Sequence, residues 1–241
     1  MNLILSKTFC QYFLTEYKNY RFRVQASAKF RPMGELRESK KRKTRQRISD
    51  VATELFFARG FEAVTLDEIA IAAKVSKMTI LNYFARKEEL MLDREDDLKL
   101  LLFRQALRAR PKGKSPVDAL RVLVKELSAQ KHPLFHIDKQ TVGWWRVVAA
   151  SPSLKARLRE LADEAADGLA SELAGPKPDG LARLTAGMIV LTVRTARDEA
   201  IRLLERGLSA KKANAESLAL MERGLSVIED LATAGPDAQG T

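Results

Sequence analysis

The stretch Thr65–Phe84, TLDEIAIAAKVSKMTILNYF, leaves the chain around it little freedom. Thr65 and Glu68 stand in the order S/T-x-x-E, so each side chain can satisfy the other residue's free backbone N–H, which marks a helix start. Ile69 and Ala70 give that helix an apolar face, and Ala72-Ala73-Lys74-Val75 has room only for a tight turn. Ser76 is a second N-cap, its hydroxyl placed to accept from N–H groups two or three residues on. The helix it opens carries Lys77, Thr79 and Asn82 between the apolar Ile80, Leu81 and Phe84. Two short helices joined by a turn of about three or four residues form the unit whose second helix lies in the DNA major groove. Capped pairs of this kind also occur as corners in all-α enzymes, so the pattern alone leaves both readings open.

Charge distribution bears on that choice. The chain of 241 residues carries 42 Lys+Arg against 31 Asp+Glu, a net charge of +11 that invites a polyanionic partner. Residues 1–50 hold 13 basic and 4 acidic side chains, whereas the other 191 hold 29 and 27, so the excess sits at the amino end. Lys40, Lys41, Arg42, Lys43 and Arg45 form a run expected to act as an arm leading into the first helix, in reach of DNA backbone or minor groove. Solubilising tails share this composition.

Cys10 is the only cysteine, so no intramolecular disulfide is possible and a reducing compartment is expected. His132 and His136 with one remote cysteine do not give zinc-finger spacing, and neither a metal nor a cofactor is expected. There is no glycine-rich phosphate loop, no Cys/His pair in nucleophile context, and no catalytic residue to assign. No apolar run approaches the about 18–20 residues needed to cross a bilayer, and the expected location is the cytoplasm.

Helical periodicity dominates and no stretch alternates with period two, so the fold class is all-α. Ile48, Val51, Ala52, Leu55 and Phe56 give a first helix ended by Gly60, and Phe61, Val64, Leu66, Ile69, Val75, Ile80 and Phe84 complete a small core. A long charged helix is expected over Lys87–Arg110, then helices near 117–130, 137–150, 153–173, 181–206 and 213–232, broken at Gly- and Pro-bearing segments. The expected domains are a basic tail over 1–38, a DNA-binding domain over 39–86, a helical domain over 87–234 and a flexible tail over 235–241. Residues 1–32, rich in Tyr, Phe, Asn and Lys, read as a translated upstream region with Met33 the natural start. Met188-Ile189-Val190-Leu191 with Val193 is apolar on every side of one helix, which demands burial on more than one face.

Residues 44–90 resemble the DNA-binding domain of the TetR family of bacterial transcriptional regulators. The resemblance is carried by Ile48–Phe56, the loop Arg59-Gly60-Phe61-Glu62-Ala63-Val64-Thr65, then Leu66–Ala70, Val75–Phe84 and Lys87-Glu88-Glu89-Leu90. Met78 stands where the family usually has Gly, and Leu81 where it usually has an aromatic, often Tyr. The resemblance implies about nine helices: an amino-terminal three-helix domain and a carboxy-terminal ligand-binding and dimerisation domain. Dimers would pair through 181–206 and 213–232 as a four-helix bundle, reading a palindromic operator as a ligand-responsive repressor. Lys77, Thr79 and Asn82 are candidates for base or phosphate contact, since Lys suits guanine acceptors, Asn pairs with adenine and a Thr methyl can meet thymine. The family's habits assign phosphate contacts to Thr65, Tyr83 and Lys87, and Lys43 and Arg45 belong to the basic arm.

Residues 137–200 resemble, less specifically, the ligand domain of TetR relatives that bind acyl-CoA-like molecules, including mycofactocin-type regulators. The carriers are Trp144-Trp145-Arg146-Val147-Val148, Ser151-Pro152-Ser153-Leu154 and Arg194-Thr195-Ala196-Arg197. Phe103, Trp144, Trp145 and Met188 are candidate walls of an apolar cavity, with Arg146 and Arg194 for an anionic head group. An activator, an architectural DNA binder without effector, and an all-α enzyme remain the rival readings.

Overall fold

The computed structural model describes residues 35–92 and 95–233. Among these residues there are eleven α-helices and no strand. In chain order they are α1 (Glu35–Arg59), α2 (Leu66–Ala72), α3 (Lys77–Tyr83), α4 (Glu88–Met91), α5 (Glu95–Leu98), α6 (Leu101–Ala109), α7 (Pro116–Ala129), α8 (Lys139–Ala150), α9 (Pro152–Ala174), α10 (Gly180–Glu205) and α11 (Ala210–Thr233). No helix among them is long and apolar enough to cross a membrane. Of the tails expected over 1–38 and 235–241, residues 1–34 and 235–241 lie outside the described residues, and 35–38 belong to α1.

Two compact units emerge. One comprises the described residues up to 92 with Gly143–Arg157, the other the residues from 95 to Val142 with Leu158 onward. The first is thus wider than the 39–86 domain expected from sequence, since it takes in α4 and parts of α8 and α9.

In the first unit, α1 begins thirteen residues before the Ile48 start expected from periodicity. The basic run is therefore helix and not an extended arm. Between residues 35 and 59 there is neither Gly nor Pro, and Lys, Arg, Gln and Glu are good helix formers, so nothing stops the helix from continuing. Gly60 closes it at φ +84°, its N–H bonded to the Phe56 carbonyl at 2.8 Å. Ile48, Ala52, Phe56, Phe61, Val64, Ile69, Ile80 and Phe84 are buried, while Leu66 and Val75 are half-buried. The Phe56 and Phe61 rings meet at 4.7 Å and 49°.

The single long helix expected over Lys87–Arg110 is not formed. It is replaced by α4, α5 and α6. Leu90, Met91 and Leu92 are buried in succession, more than one face of a straight helix can hide, and Leu100 turns the chain at φ +52° before α6.

The second unit's core is built by α6, α7, α9, α10 and α11, with Phe103, Leu107, Leu120, Leu127, Leu169, Ile189, Met221 and Leu225 at its centre. Ile189, Val190 and Val193 of α10 turn inward, as the all-round apolar segment requires, but Leu181, Leu184 and Leu191 remain on its outer side. Two polar clamps fix the packing. Arg121 of α7 reaches α11 through Glu222 at 2.7 Å and Glu229 at 2.8 Å. These carboxylates raise its already high pKa further. Asn214 of α11 treats the Ile137 peptide as an amide partner, accepting from its N–H and donating to its carbonyl, both at 2.8 Å.

α10 and α11 approach closely where Gly224 meets Thr192. A Cβ on Gly224 would lie 2.3 Å from Thr192 Cγ2. Gly224→Ala is expected to destabilise the protein by about 1–3 kcal/mol through overpacking, against a smaller gain in helix propensity. The double variant Gly224→Ala/Thr192→Ala should recover most of the loss in chemical denaturation.

Candidate nucleic-acid interface

The site is built on helices of seven residues each, too short to stand alone, so caps and packing must hold them. Thr65 caps α2 in the reciprocal way expected. Its hydroxyl oxygen accepts from Glu68 N–H at 3.2 Å, and Glu68 Oε2 accepts from the Thr65 N–H at 2.8 Å. Arg59, the last residue of α1, donates to Glu68 Oε1 at 2.7 Å. The Thr65 N–H first, then Arg59, hold the Glu68 carboxyl down to about 2 from its usual 4.5.

α2 ends in a left-handed residue, Lys74 at φ +52°, and the Val75 N–H bonds back to the Ala70 carbonyl at 3.0 Å. Ser76 then opens α3, its hydroxyl oxygen accepting from Thr79 N–H at 3.0 Å. Ile80 and the following Phe84 anchor α3 in the core. Lys77, Met78, Leu81 and Asn82 are exposed, and Thr79 and Tyr83 half-exposed. Lys77 bonds Asp67 across the turn at 2.9 Å, with both side chains still largely in solvent.

The cations expected to meet DNA separate into two groups. Lys43 is exposed on α1, in company with Lys40, Lys41 and Arg47. Arg45 instead stacks its guanidinium 4.0 Å from the centre of the Phe84 ring and donates to the Tyr83 carbonyl, bracing the end of α3. Lys87 also turns toward its own domain: Nζ donates to the Phe61 carbonyl at 2.6 Å and lies 4.3 Å from the Phe61 ring centre. Burial lowers its pKa, opposed by Glu62, Glu88 and Glu68. The Thr65 hydroxyl is occupied by the cap, donating to Glu68 Oε2 at 2.9 Å.

One contact of this unit had no counterpart in the sequence reading. Glu62, in the loop before α2, accepts from the hydroxyls of Ser151 at 2.5 Å and Ser153 at 3.0 Å. The Ser151 bond is the main cause of its lowered pKa. Ser151 also accepts from Leu154 N–H at 3.1 Å, so Ser151-Pro152, expected as a helix stop, is equally the start of α9. The available signal was Pro at the first helical position behind a Ser.

The candidate ligand residues are divided between the units. Trp144 is buried and Trp145 half-buried in the first, their rings edge-on at 4.6 Å and 86°, with Arg146 exposed beside them. In the second, Phe103 is fully buried 6.2 Å from Phe135, Met188 is half-buried against the same core, and Arg194 is exposed. Among the described residues no group of His, Cys, Asp and Glu side chains gathers in a way that holds a metal.

Residues 48–93 match the family described as bacterial regulatory proteins, tetR family. The HTH-type transcriptional regulator TcmR of Streptomyces glaucescens is 39% identical over 85 residues, 35% of this chain and 37% of that protein. MftR of Mycobacterium tuberculosis, named for regulation of mycofactocin biosynthesis, is 50% identical over 44 residues, 18% of this chain and 22% of that protein. The chain therefore spans well under half the length of either relative. The crystal structure of NalD, the secondary repressor of the MexAB-OprM efflux pump in Pseudomonas aeruginosa, shares the fold with a TM-score of 0.50 at 18% identity, over 76% of this chain and 97% of NalD. TcmR and MftR are both named as transcriptional regulators.

The depressed Glu68 carboxyl stabilises the folded domain above the ordinary value of 4.5, and that contribution disappears as pH falls toward about 2. Glu68→Gln is expected to make the acid limb of stability shallower between those values, measured by denaturation at a series of pH values. A limb as steep as that of the unmodified protein would contradict the assignment.

Proposed function

We propose, from the match of residues 48–93 to the tetR family of bacterial regulatory proteins, that this chain is a homodimeric, ligand-responsive repressor of transcription binding a palindromic operator. The capped pair α2–α3 carries the reading: α3 is anchored by Ile80 and Phe84 while Lys77, Thr79, Asn82 and Tyr83 stand on or beside its free side. Exposed Lys40, Lys41, Lys43 and Arg47 on α1 supply sequence-blind attraction to phosphate.

One helix of seven residues reads few base pairs, so affinity and specificity require a second copy, its recognition helix about 34–36 Å away along the duplex. The outer side of α10 supports the pairing. Leu184 is 53% and Leu191 59% exposed, with Leu181 on the same helix and Val227 on α11 also in solvent. A stripe of this kind is what a two-fold helix bundle covers.

Effector control follows if a small molecule binds with different affinity to dimers of different recognition-helix spacing; DNA must then weaken its binding reciprocally. For an acyl-CoA-like effector, the open groove of about 450 Å³ between α6 and α7, lined by Leu102, Ala106, Val122 and Leu123 together with Arg110 and Glu126, offers an apolar surface for the acyl chain. Apolar walls suit an acyl chain, and a guanidinium suits an anionic head.

Lys77→Ala and Tyr83→Phe are expected to weaken binding to DNA from upstream of the protein's own gene, by about 1–3 kcal/mol where a base contact is lost, with the fold retained. Leu184→Asp/Leu191→Asp should give a monomer in sedimentation and lose operator binding. Addition of an acyl-CoA is expected to raise the melting temperature and release DNA in an electrophoretic shift assay. Unaltered binding in the variants would remove the contact assignments, and an unaltered melting temperature would leave an architectural binder.

A further inference from the structure

The exposed face of α3 is not the polar surface that hydrogen-bond readout alone would call for. Met78, Leu81 and Asn82 stand at i, i+3 and i+4, so their side chains are neighbours on one side of the helix, away from Ile80 and Phe84. Met78 is 65% exposed and Leu81 41%. Two large apolar side chains in solvent at the centre of a candidate reading surface lose free energy unless something apolar meets them there. In the major groove the apolar group presented by a base is the C5-methyl of thymine.

We propose that Met78 and Leu81 are specificity-determining residues that read thymine methyl groups, and that the core of each operator half-site is accordingly built of A·T pairs. The inference rests on the DNA-binding reading above and adds the class of base recognised. Three observations meet in it. The apolar pair is exposed, Asn82 beside it has the amide that pairs bidentately with adenine N6 and N7, and exposed Lys40, Lys41, Lys43 and Lys77 in the same unit make a polyanion the occupant that charge favours. Contact of Met78 and Leu81 with methyl groups on the strand opposite the Asn82 adenine would make the surface self-consistent: hydrogen bonds to A, dispersion and burial to T.

The test selects duplexes from a random pool with the full-length protein, then replaces thymine by deoxyuridine one position at a time and measures Kd by fluorescence anisotropy. Removal of a contacted methyl is expected to weaken binding about fourfold at one or two positions in each half-site. In the double variant Met78→Ala/Leu81→Ala, which alters only exposed side chains, the same replacements should have no effect. Selection of a thymine-free core, full tolerance of deoxyuridine by the unmodified protein, or persistence of the deoxyuridine penalty in the double variant would each overturn the proposal while leaving DNA recognition intact. Failure of the pool to enrich at all would overturn the regulator reading and this one with it, at the selection step, before any base analogue is used.

Discussion

One carboxylate organises the amino-terminal unit. Glu68 accepts from the Thr65 N–H, the Thr65 hydroxyl and the Arg59 guanidinium, so it ties the end of α1 to the start of α2 and fixes where α2 begins. The direction of α2 and the left-handed turn at Lys74 then set the start of α3 at Ser76. Neither helix has the length to nucleate by itself. What makes them a rigid pair is a chain of local hydrogen bonds closed over a core of Phe56, Phe61, Ile69, Ile80 and Phe84.

Basic residues in this unit do two different jobs, and net charge cannot tell them apart. Arg45 and Lys87 use aromatic faces and backbone carbonyls as partners, so they hold the domain together. Lys40, Lys41, Lys43 and Arg47 stay in solvent and leave their charge on its surface. The distinction comes from distance to Phe61 and Phe84. Tertiary packing creates it, and spacing along the chain does not contain it.

Where a fold depends on local rules, the sequence was legible. Both caps, the Gly60 stop, the inward-facing Ile189 and Val193, and the all-α class follow from residue type at fixed short offsets. The lower reaches of α1 were missed because periodicity detects only buried apolar faces, and Lys40, Lys41, Arg42 and Lys43 lie in solvent. The break at Leu92 and Leu100 was missed for the opposite reason: helical propensity there is good, and only the demand to bury Leu90, Met91 and Leu92 together interrupts it. The candidate base contacts were partly legible. Lys77, Thr79 and Asn82 could be placed on α3, but the exposure of Met78 and Leu81 could not, since an apolar residue in sequence reads as core by default.

At the Gly224–Thr192 crossing α10 and α11 have no slack. A side chain can grow on α11 there only if one shrinks on α10. The two positions are thus a single degree of freedom for divergence: among chains that keep this crossing, bulk at one site should be offset by smallness at the other, and neither should drift alone.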